Sequence, residues 1–258
     1  MADKVAVIGA GLIGRSWAIV FARASHQVAL YDVADGAVES ALDLIDAALP
    51  DLAAVGLLRD ETPQAVRGRV RGADDLADAV DGVDHVQENT LERIEIKRAV
   101  FAELDRLAPE SAVLATSTSG ISASRFTETL PGRTRCLVAH PINPPHLVPL
   151  VEIVPAPWSD PASVTRTRDL MTAVGQAPIT LKKEIDGFVA NRMQGVLLQE
   201  AFRLVEDGVC DAADVDTAIA DGIGLRWAFM GAVRDHRSQR TKRGARLLRA
   251  AGADVLRF

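Results

Sequence analysis

The amino-acid sequence predicts an α/β fold, a doubly wound sheet followed by a smaller all-helical C-terminal domain. Three observations carry this. Lys4-Val5-Ala6-Val7-Ile8 is a short apolar run that ends directly in Gly9-Ala10-Gly11-Leu12-Ile13-Gly14, as a buried parallel strand ends in a phosphate-binding turn. Apolar strands then alternate with helical stretches as far as Leu181, the pattern of strand–helix–strand crossovers. Beyond Gly187 the apolar residues fall at helical spacing. With 258 residues, 48% apolar and only 4% aromatic, the chain has length for two modest domains and a core of Ala, Val, Leu and Ile.

The first elements define a cofactor site. From Leu12 to about Ala24, residues Ile13, Trp17, Val20 and Phe21 can share one buried helix face, and Val28-Ala29-Leu30-Tyr31 is a second strand ending at Asp32. In this context Gly9 permits a tight turn, Gly11 lets the backbone approach a pyrophosphate, and Gly14 lets the helix pack close to the sheet. Leu12 and Ile13 open the helix, whose free N–H groups and partial positive charge receive the phosphates. Asp32 lies 18 residues after Gly14, where its carboxylate can accept both hydroxyls of a ribose. It would repel a 2′-phosphate, and Val33-Ala34-Asp35-Gly36 supplies no arginine to receive one. A Rossmann-type domain that binds NAD rather than NADP is therefore predicted.

The alternation continues. Asp35 to about Leu49 reads as a helix and Asp51 to Arg71 as a polar, arginine-bearing connection. His85-Val86-Gln87 reads as a strand, Glu92 to Leu107 as a helix, and Ala112 to Ala115 as a strand running into Thr116-Ser117-Thr118-Ser119-Gly120. Small hydroxyl residues at the carboxyl end of a strand stand where open α/β sheets bind ligands, although Ser119 equally suits a turn or helix cap. His140 follows, ahead of Pro141-Ile142-Asn143-Pro144-Pro145, with Val151-Glu152 closing the next strand and a further strand around Ala177 to Leu181. A lone histidine is more often a core or surface residue than a catalyst. Downstream of a complete cofactor motif it suits the acceptor of the proton that accompanies a hydride. After a polar connection from Lys182 to Gly187, helices are predicted over Phe188 to Asp207 and Asp211 to Ala220.

Bulk properties narrow the function classes. The net charge of −6 gives no general reason to expect nucleic acid. Cys136 and Cys210 are the only cysteines, too few for a disulfide framework and without the spacing of a zinc site, so no metal is expected. No apolar run approaches the roughly 20 residues that span a bilayer. The chain thus reads as cytoplasmic, with no membrane partner.

At this point the sequence resembles the 3-hydroxyacyl-CoA dehydrogenase family, most closely its branch with lambda-crystallin (L-gulonate 3-dehydrogenase) and carnitine 3-dehydrogenase. The stretches that carry the resemblance are Gly11-Leu12-Ile13-Gly14-Arg15-Ser16-Trp17-Ala18, Ser117-Thr118-Ser119, Ala139 to Pro145, Pro149-Leu150-Val151-Glu152 and Gly187-Phe188-Val189-Ala190-Asn191-Arg192. The resemblance implies NAD-dependent oxidation of a 3-hydroxy acid, or its CoA thioester, to the 3-oxo compound. It makes His140 the general base, Glu152 the carboxylate that orients it, and Ser119 and Asn191 hydrogen-bonding partners of the reacting oxygen. It places Glu92 and Lys97 against the nicotinamide half of the cofactor. Read without it, Glu92 is an acid at a helix start, Lys97 a solvated charge and Asn191 a polar helix-face residue. His146 is a departure, expected at the substrate mouth or the surface. The branch markers, Gly14-Arg15-Ser16-Trp17 and Asn143-Pro144-Pro145, favour a small free acid such as gulonate or carnitine. A true 3-hydroxyacyl-CoA dehydrogenase of fatty-acid metabolism is the alternative, with Arg59, Arg67, Arg69 and Arg71 available to CoA phosphates.

The implied organisation is an NAD-binding domain over residues 1–184 and the start of a helical substrate and dimerisation domain over 185–231, giving a homodimer where that domain is complete. The match ends after Met230-Gly231, and residues 232–258 form a basic tail of net charge +6. A coding string for Arg234 to Thr241, read one base later, gives E-T-I-D-L-N-A, the family's pattern at that place. The tail is therefore expected to be a frameshifted reading, leaving the helical domain truncated and a protein that binds NADH with impaired catalysis as a further alternative.

Overall fold

A computed structural model describes residues 3–231; the basic tail and its frameshift reading lie outside the described residues. In chain order the elements are β1 (Lys4–Ile8), α1 (Leu12–Arg23), β2 (Gln27–Tyr31), α2 (Ala37–Ala54), α3 (Pro63–Arg67), β3 (Val70–Gly72), α4 (Leu76–Ala79), β4 (His85–Glu88), α5 (Ile94–Leu107), β5 (Val113–Thr116), α6 (Ser124–Thr127), β6 (Cys136–Pro141), β7 (Leu150–Pro155), α7 (Pro161–Ala173) and β8 (Ala177–Thr180). Helices α8 (Ala190–Glu206), α9 (Ala212–Thr217) and α10 (Gly224–Met230) follow, the last two joined by a π-helical turn over Ala218–Ile223. The chain divides into two compact units after Arg192.

The eight strands form one sheet in the order β3-β2-β1-β4-β5-β6-β7-β8. Strands β1 to β6 are mutually parallel, β7 runs antiparallel to β6, and β8 runs parallel to β7. Winding proceeds outward from β1 in both directions, so the crevice beside β1 is the switch point at which such sheets bind ligands. Strand residues alternate between two apolar layers. Val5 and Val7 join Trp17, Phe21, Ile45 and Leu49 on one face. Ala6 and Ile8 join Phe101, Leu104, Phe126 and Phe188 on the other.

Several local expectations are corrected. Helix α2 continues through Pro50 to Ala54 rather than ending near Leu49. Ile45, Leu49 and Leu52 are all buried on its inner face, and that burial outweighs the proline. The connection from Asp51 to Arg71 is not featureless. It holds the end of α2, then α3, started by Pro63 with the Thr62 hydroxyl accepting from Ala65 N, and then β3, an edge strand pairing Val70 with Val28. Helix α5 starts at Ile94, so Glu92 lies before it. Glu152 stands in the middle of β7 rather than at its end. The helix expected from Phe188 starts at Ala190. Both cysteines are free thiols. Among the described residues no helix is long and apolar enough to cross a membrane, and no cluster of three or more His, Cys, Asp or Glu could hold a metal ion.

The junction of β1 and α1 is the tightest place in the fold. A Cβ on Gly14 would meet the Gly9 carbonyl oxygen at 1.8 Å, whereas one on Gly11 would meet nothing within 4 Å. Gly14→Ala is expected to destabilise the chain by about 2–3 kcal/mol through overpacking, and Gly11→Ala by no more than about 0.5 kcal/mol. Urea denaturation of the two variants checks this; equal midpoints would show that the helix is not held against the turn.

Candidate active site

The glycine turn, the end of β2 and the start of α5 enclose a cleft of about 580 Å³ lined by Gly9, Gly11, Asp32, Leu76, Asn89 and Val100 among others. Its walls are mainly apolar, and Asp32 stands at its rim. One Asp32 oxygen accepts from Ala10 N at 2.7 Å and the other from Ala34 N at 2.9 Å, which fixes the carboxylate in the turn. No side chain caps the N-terminus of α1, and Gly11 presents open space beside it. The leading amides are thus available to a phosphate. Leu12 is exposed, while Ile13 packs against the core and serves the turn from beneath. Apolar walls for adenine, an acid for the ribose and an uncapped helix start for the pyrophosphate together fit a dinucleotide.

The second half of the site is built on the antiparallel pair β6 and β7, whose register sets His140 directly opposite Glu152. His140 Nδ1 and Glu152 Oε2 are 2.8 Å apart, and both residues are buried. The other carboxylate oxygen, Oε1, accepts from Val189 N at 2.8 Å, just before α8, and from Ala190 N at 3.0 Å, its first amide. The chain reaches this position through two positive φ values, Gly187 at 74° and Phe188 at 47°. The second is costly for a bulky residue. Phe188 is fully buried, with its ring centroid 5.6 Å from that of His140. It is therefore a wall of the imidazole pocket rather than a helix-face residue.

Glu92 is a clamp. Its Oε1 accepts from Thr118 Oγ1 at 2.6 Å and from Ser119 N and Gly120 N at 2.8 Å, and its Oε2 accepts from Ser119 Oγ at 2.8 Å. The loop after β5 is thereby bound to the loop after β4. Asn191 completes the chain, donating from Nδ2 to the Ser119 carbonyl at 2.8 Å. Glu92, Ser119, Asn191, Glu152 and His140 thus form one connected constellation, linked by hydrogen bonds and the short run of backbone from Val189 to Asn191.

Lys97 stands apart from it and is not solvated. Its Nζ donates to both oxygens of Glu88, at 3.0 and 2.8 Å, and to Thr90 O at 3.3 Å, which occupies all three of its hydrogens. Glu88, also buried, accepts from Thr116 Oγ1 at 2.6 Å and from the Thr90 amide and hydroxyl. Sequence reasoning missed Glu88; an acid at the end of a buried strand was the available signal. His146 is half-buried with its Nδ1 unpartnered, and its backbone oxygen accepts from Arg23 Nη1 at 2.9 Å. The arginines offered to CoA phosphates are engaged within the chain. Arg67, Arg69 and Arg71 pair with Asp46, Glu61 and Asp78, and Arg59 donates to Ala173 O.

Two pairings set the electrostatics. Burial alone would raise the Glu152 and Glu92 carboxyls. Hydrogen bonds from His140, Ala190 and Val189 outweigh it at Glu152, and those from Thr118, Ser119 and Gly120 outweigh it at Glu92, so both lie below the usual glutamate value. A carboxyl depressed in the fold contributes stability that is present above its unfolded value, about 4.3, and lost as pH falls through the folded value. The melting temperature is expected to fall on acidification below about pH 4.3, and to fall less steeply in Glu92→Gln; identical slopes would remove Glu92 from the account. Lys97→Met leaves Glu88 buried without its counter-charge and is expected to cost about 3–5 kcal/mol in chemical denaturation. A negligible loss would show the pair to be incidental.

Comparison with known proteins agrees with this geometry. Residues 4–185 match the family described as 3-hydroxyacyl-CoA dehydrogenase, NAD binding domain, and residues 187–253 match its C-terminal domain. The chain is 46% identical over 228 residues to the lambda-crystallin homolog of Bos taurus, covering 88% of this chain and 71% of that protein. It is 37% identical to the L-carnitine dehydrogenase of Streptomyces coelicolor, covering 88% and 70%. Among solved structures it is similar to 5-formyl-3-hydroxy-2-methylpyridine 4-carboxylic acid 5-dehydrogenase, an NAD+-dependent dismutase, with a TM-score of 0.87, 35% identity and coverage of 98% of this chain and 81% of that one. A cleft shaped for a dinucleotide, in a chain matched along most of its length, is that of an NAD-dependent oxidoreductase, and the chain belongs to the 3-hydroxyacyl-CoA dehydrogenase family.

Proposed function

We propose that this chain oxidises a 3-hydroxy acid, or its CoA thioester, to the 3-oxo compound. The observation that carries the reading is the His140–Glu152 pair at 2.8 Å, buried beside the ring of Phe188. NAD, held by Gly9, Gly11, the start of α1 and Asp32, supplies the hydride acceptor. His140 takes the hydroxyl proton at its second ring nitrogen, Nε2, because Nδ1 is engaged with Glu152. Glu152, anionic through the neutral range, stabilises the imidazolium that results. The second N–H of Asn191 Nδ2 donates to the reacting oxygen, and Ser119 Oγ joins it as a donor once its hydrogen turns from Glu92 Oε2. Glu92 contributes on the nicotinamide side by fixing Ser119, and Lys97 by fixing Glu88 and the Thr90 loop.

For the substrate we favour a small free acid. Three of the arginines that CoA phosphates would need are already paired with carboxylates, and similarity to an L-carnitine dehydrogenase supports the same choice. A 3-hydroxyacyl-CoA dehydrogenase is the second reading, favoured by the family match itself. Met193, Val196 and Phe202 are exposed on α8, which supports pairing with a second copy of the chain. Two free thiols fit a reducing, cytoplasmic setting.

The test is NADH formation with L-gulonate, carnitine and 3-hydroxybutyryl-CoA, alongside His140→Ala. Turnover of one free acid is expected, falling about a hundredfold or more in the variant, the usual contribution of a general base. Preference for the thioester would establish the second reading. NADH binding with no turnover of any of the three would sink both and leave a non-catalytic cofactor-binding protein.

A further inference from the structure

The Trp17 of the branch marker and a polar residue in the middle of a buried strand have so far no role. They meet. On β4 and just beyond it, His85, Gln87 and Asn89 occupy alternate positions and so share the face towards α1. Gln87 is fully buried. Its Nε2 donates to Ser117 Oγ at 2.7 Å and to the Ala139 carbonyl at 3.2 Å. A carbonyl can only accept, so this contact fixes the orientation of the amide, and Gln87 Oε1 must face His85 Nε2, 3.1 Å away. His85 is the donor there, and burial lowers its pKa to about 4, which keeps it neutral at physiological pH.

Ser117 is saturated in turn. It accepts from Gln87 and from Trp17 Nε1 at 3.0 Å, and donates to Asn89 Oδ1 at 2.7 Å. Asn89 then donates from Nδ2 to Ile8 O at 3.3 Å and Gln87 O at 2.8 Å. The network reaches three segments of the site, at the Ile8 carbonyl, the Ser117 hydroxyl and the Ala139 carbonyl. Ile8 directly precedes the glycine turn, Ser117 lies two residues before Ser119, and Ala139 directly precedes His140.

We infer that Gln87 is a positioning residue, whose side-chain amide sets the Ser119 loop and the His140 strand at the mutual spacing that hydride and proton transfer require, with the glycine turn joined to them through Ser117 and Asn89. The kinetic part of this rests on the dehydrogenase reading above; the structural part does not. The Ser117 and Ala139 contacts lie two residues from Ser119 and one from His140, and each hydrogen of Nε2 has one acceptor. Loss of the amide would therefore remove the side-chain tie between the ends of β5 and β6 and leave their backbone ladder to hold them, which an apolar residue of the same shape would not remedy.

Gln87→Met keeps the volume and removes the amide. Hydrogen exchange on the cofactor-free chain is expected to rise about tenfold at 117–121 and at 139–142 and to stay unchanged in α7. With the substrate that the wild type turns over, kcat is expected to fall about ten- to hundredfold, with the dissociation constant for NADH within about twofold of wild type. Trp17→Phe, whose ring keeps its stacking on Phe21, and Ser117→Ala remove one link each; both are expected to move the same readouts less, and they decide the matter if Gln87→Met does not fold. Unchanged exchange at both segments overturns the inference. So does an unchanged kcat in an enzyme that His140→Ala inactivates. A uniform rise of exchange along the chain would make Gln87 a stability residue only, which also overturns it. If the wild type turns over nothing, the dehydrogenase reading fails, and exchange alone decides the positioning of the ends of β5 and β6.

Discussion

The site depends on one buried carboxylate. Glu152 has no measurable exposure, a position that an anion can hold only if its oxygens are used. One oxygen is given to His140 and the other to the amides of Val189 and Ala190, just before and at the start of α8. His140 and the start of α8 are therefore held by the same charge, and neither can move without leaving it uncompensated. The positive φ of Phe188 follows from this constraint. The chain must turn sharply after Gly187 to point Val189 N and Ala190 N at the carboxylate, and the same turn lays a phenyl ring beside the imidazole. The strained residue and the buried His140–Glu152 pair are two consequences of one interaction.

Strand β4 shows how a sheet with both faces buried can carry polar chemistry. With a side-chain period of two, Gln87 and Glu88 must point to opposite layers. Towards α1 the strand holds a neutral network in which every hydrogen has an acceptor. Towards α5 it holds a charged pair, Glu88 and Lys97, with two threonines filling the remaining lone pairs. Both solutions satisfy the rule that buried polar groups are paired. They differ in what they do, because the neutral network ties strand ends together while the ion pair braces a helix against its strand.

How much of this was legible in the sequence depends on the range of the interaction. The glycine turn, β1, α1 and Asp32 were legible because the turn, the helix start and the acid act within a single β-α-β unit. His140 and Glu152 were found by resemblance, and their antiparallel register explains how residues 12 apart in sequence meet as a pair. Strand β3 was not legible, since three residues are too few to show a period. Pro50 misled because only the burial of Leu52 says that α2 continues. The resemblance set Glu92 and Lys97 against the nicotinamide, while their local meaning was an acid at a helix start and a solvated cation. Their actual partners, the loop after β5 and Glu88, come close only once the sheet is ordered.

The loop between β6 and β7 takes the same logic to the substrate side. Its shape is held through its main chain, by Arg23 donating to His146 O and Gln176 donating to Pro145 O. The side chains that do this keep further polar atoms unpartnered, as does His146. Positioning of the loop that follows His140 is thus assigned to its backbone carbonyls. Substitution of the side chains it carries changes the chemistry offered to a ligand without removing what holds the loop in place. The His140–Glu152 pair is thus fixed by buried charge, and the neighbouring loop is fixed by backbone groups that do not depend on which residues it displays.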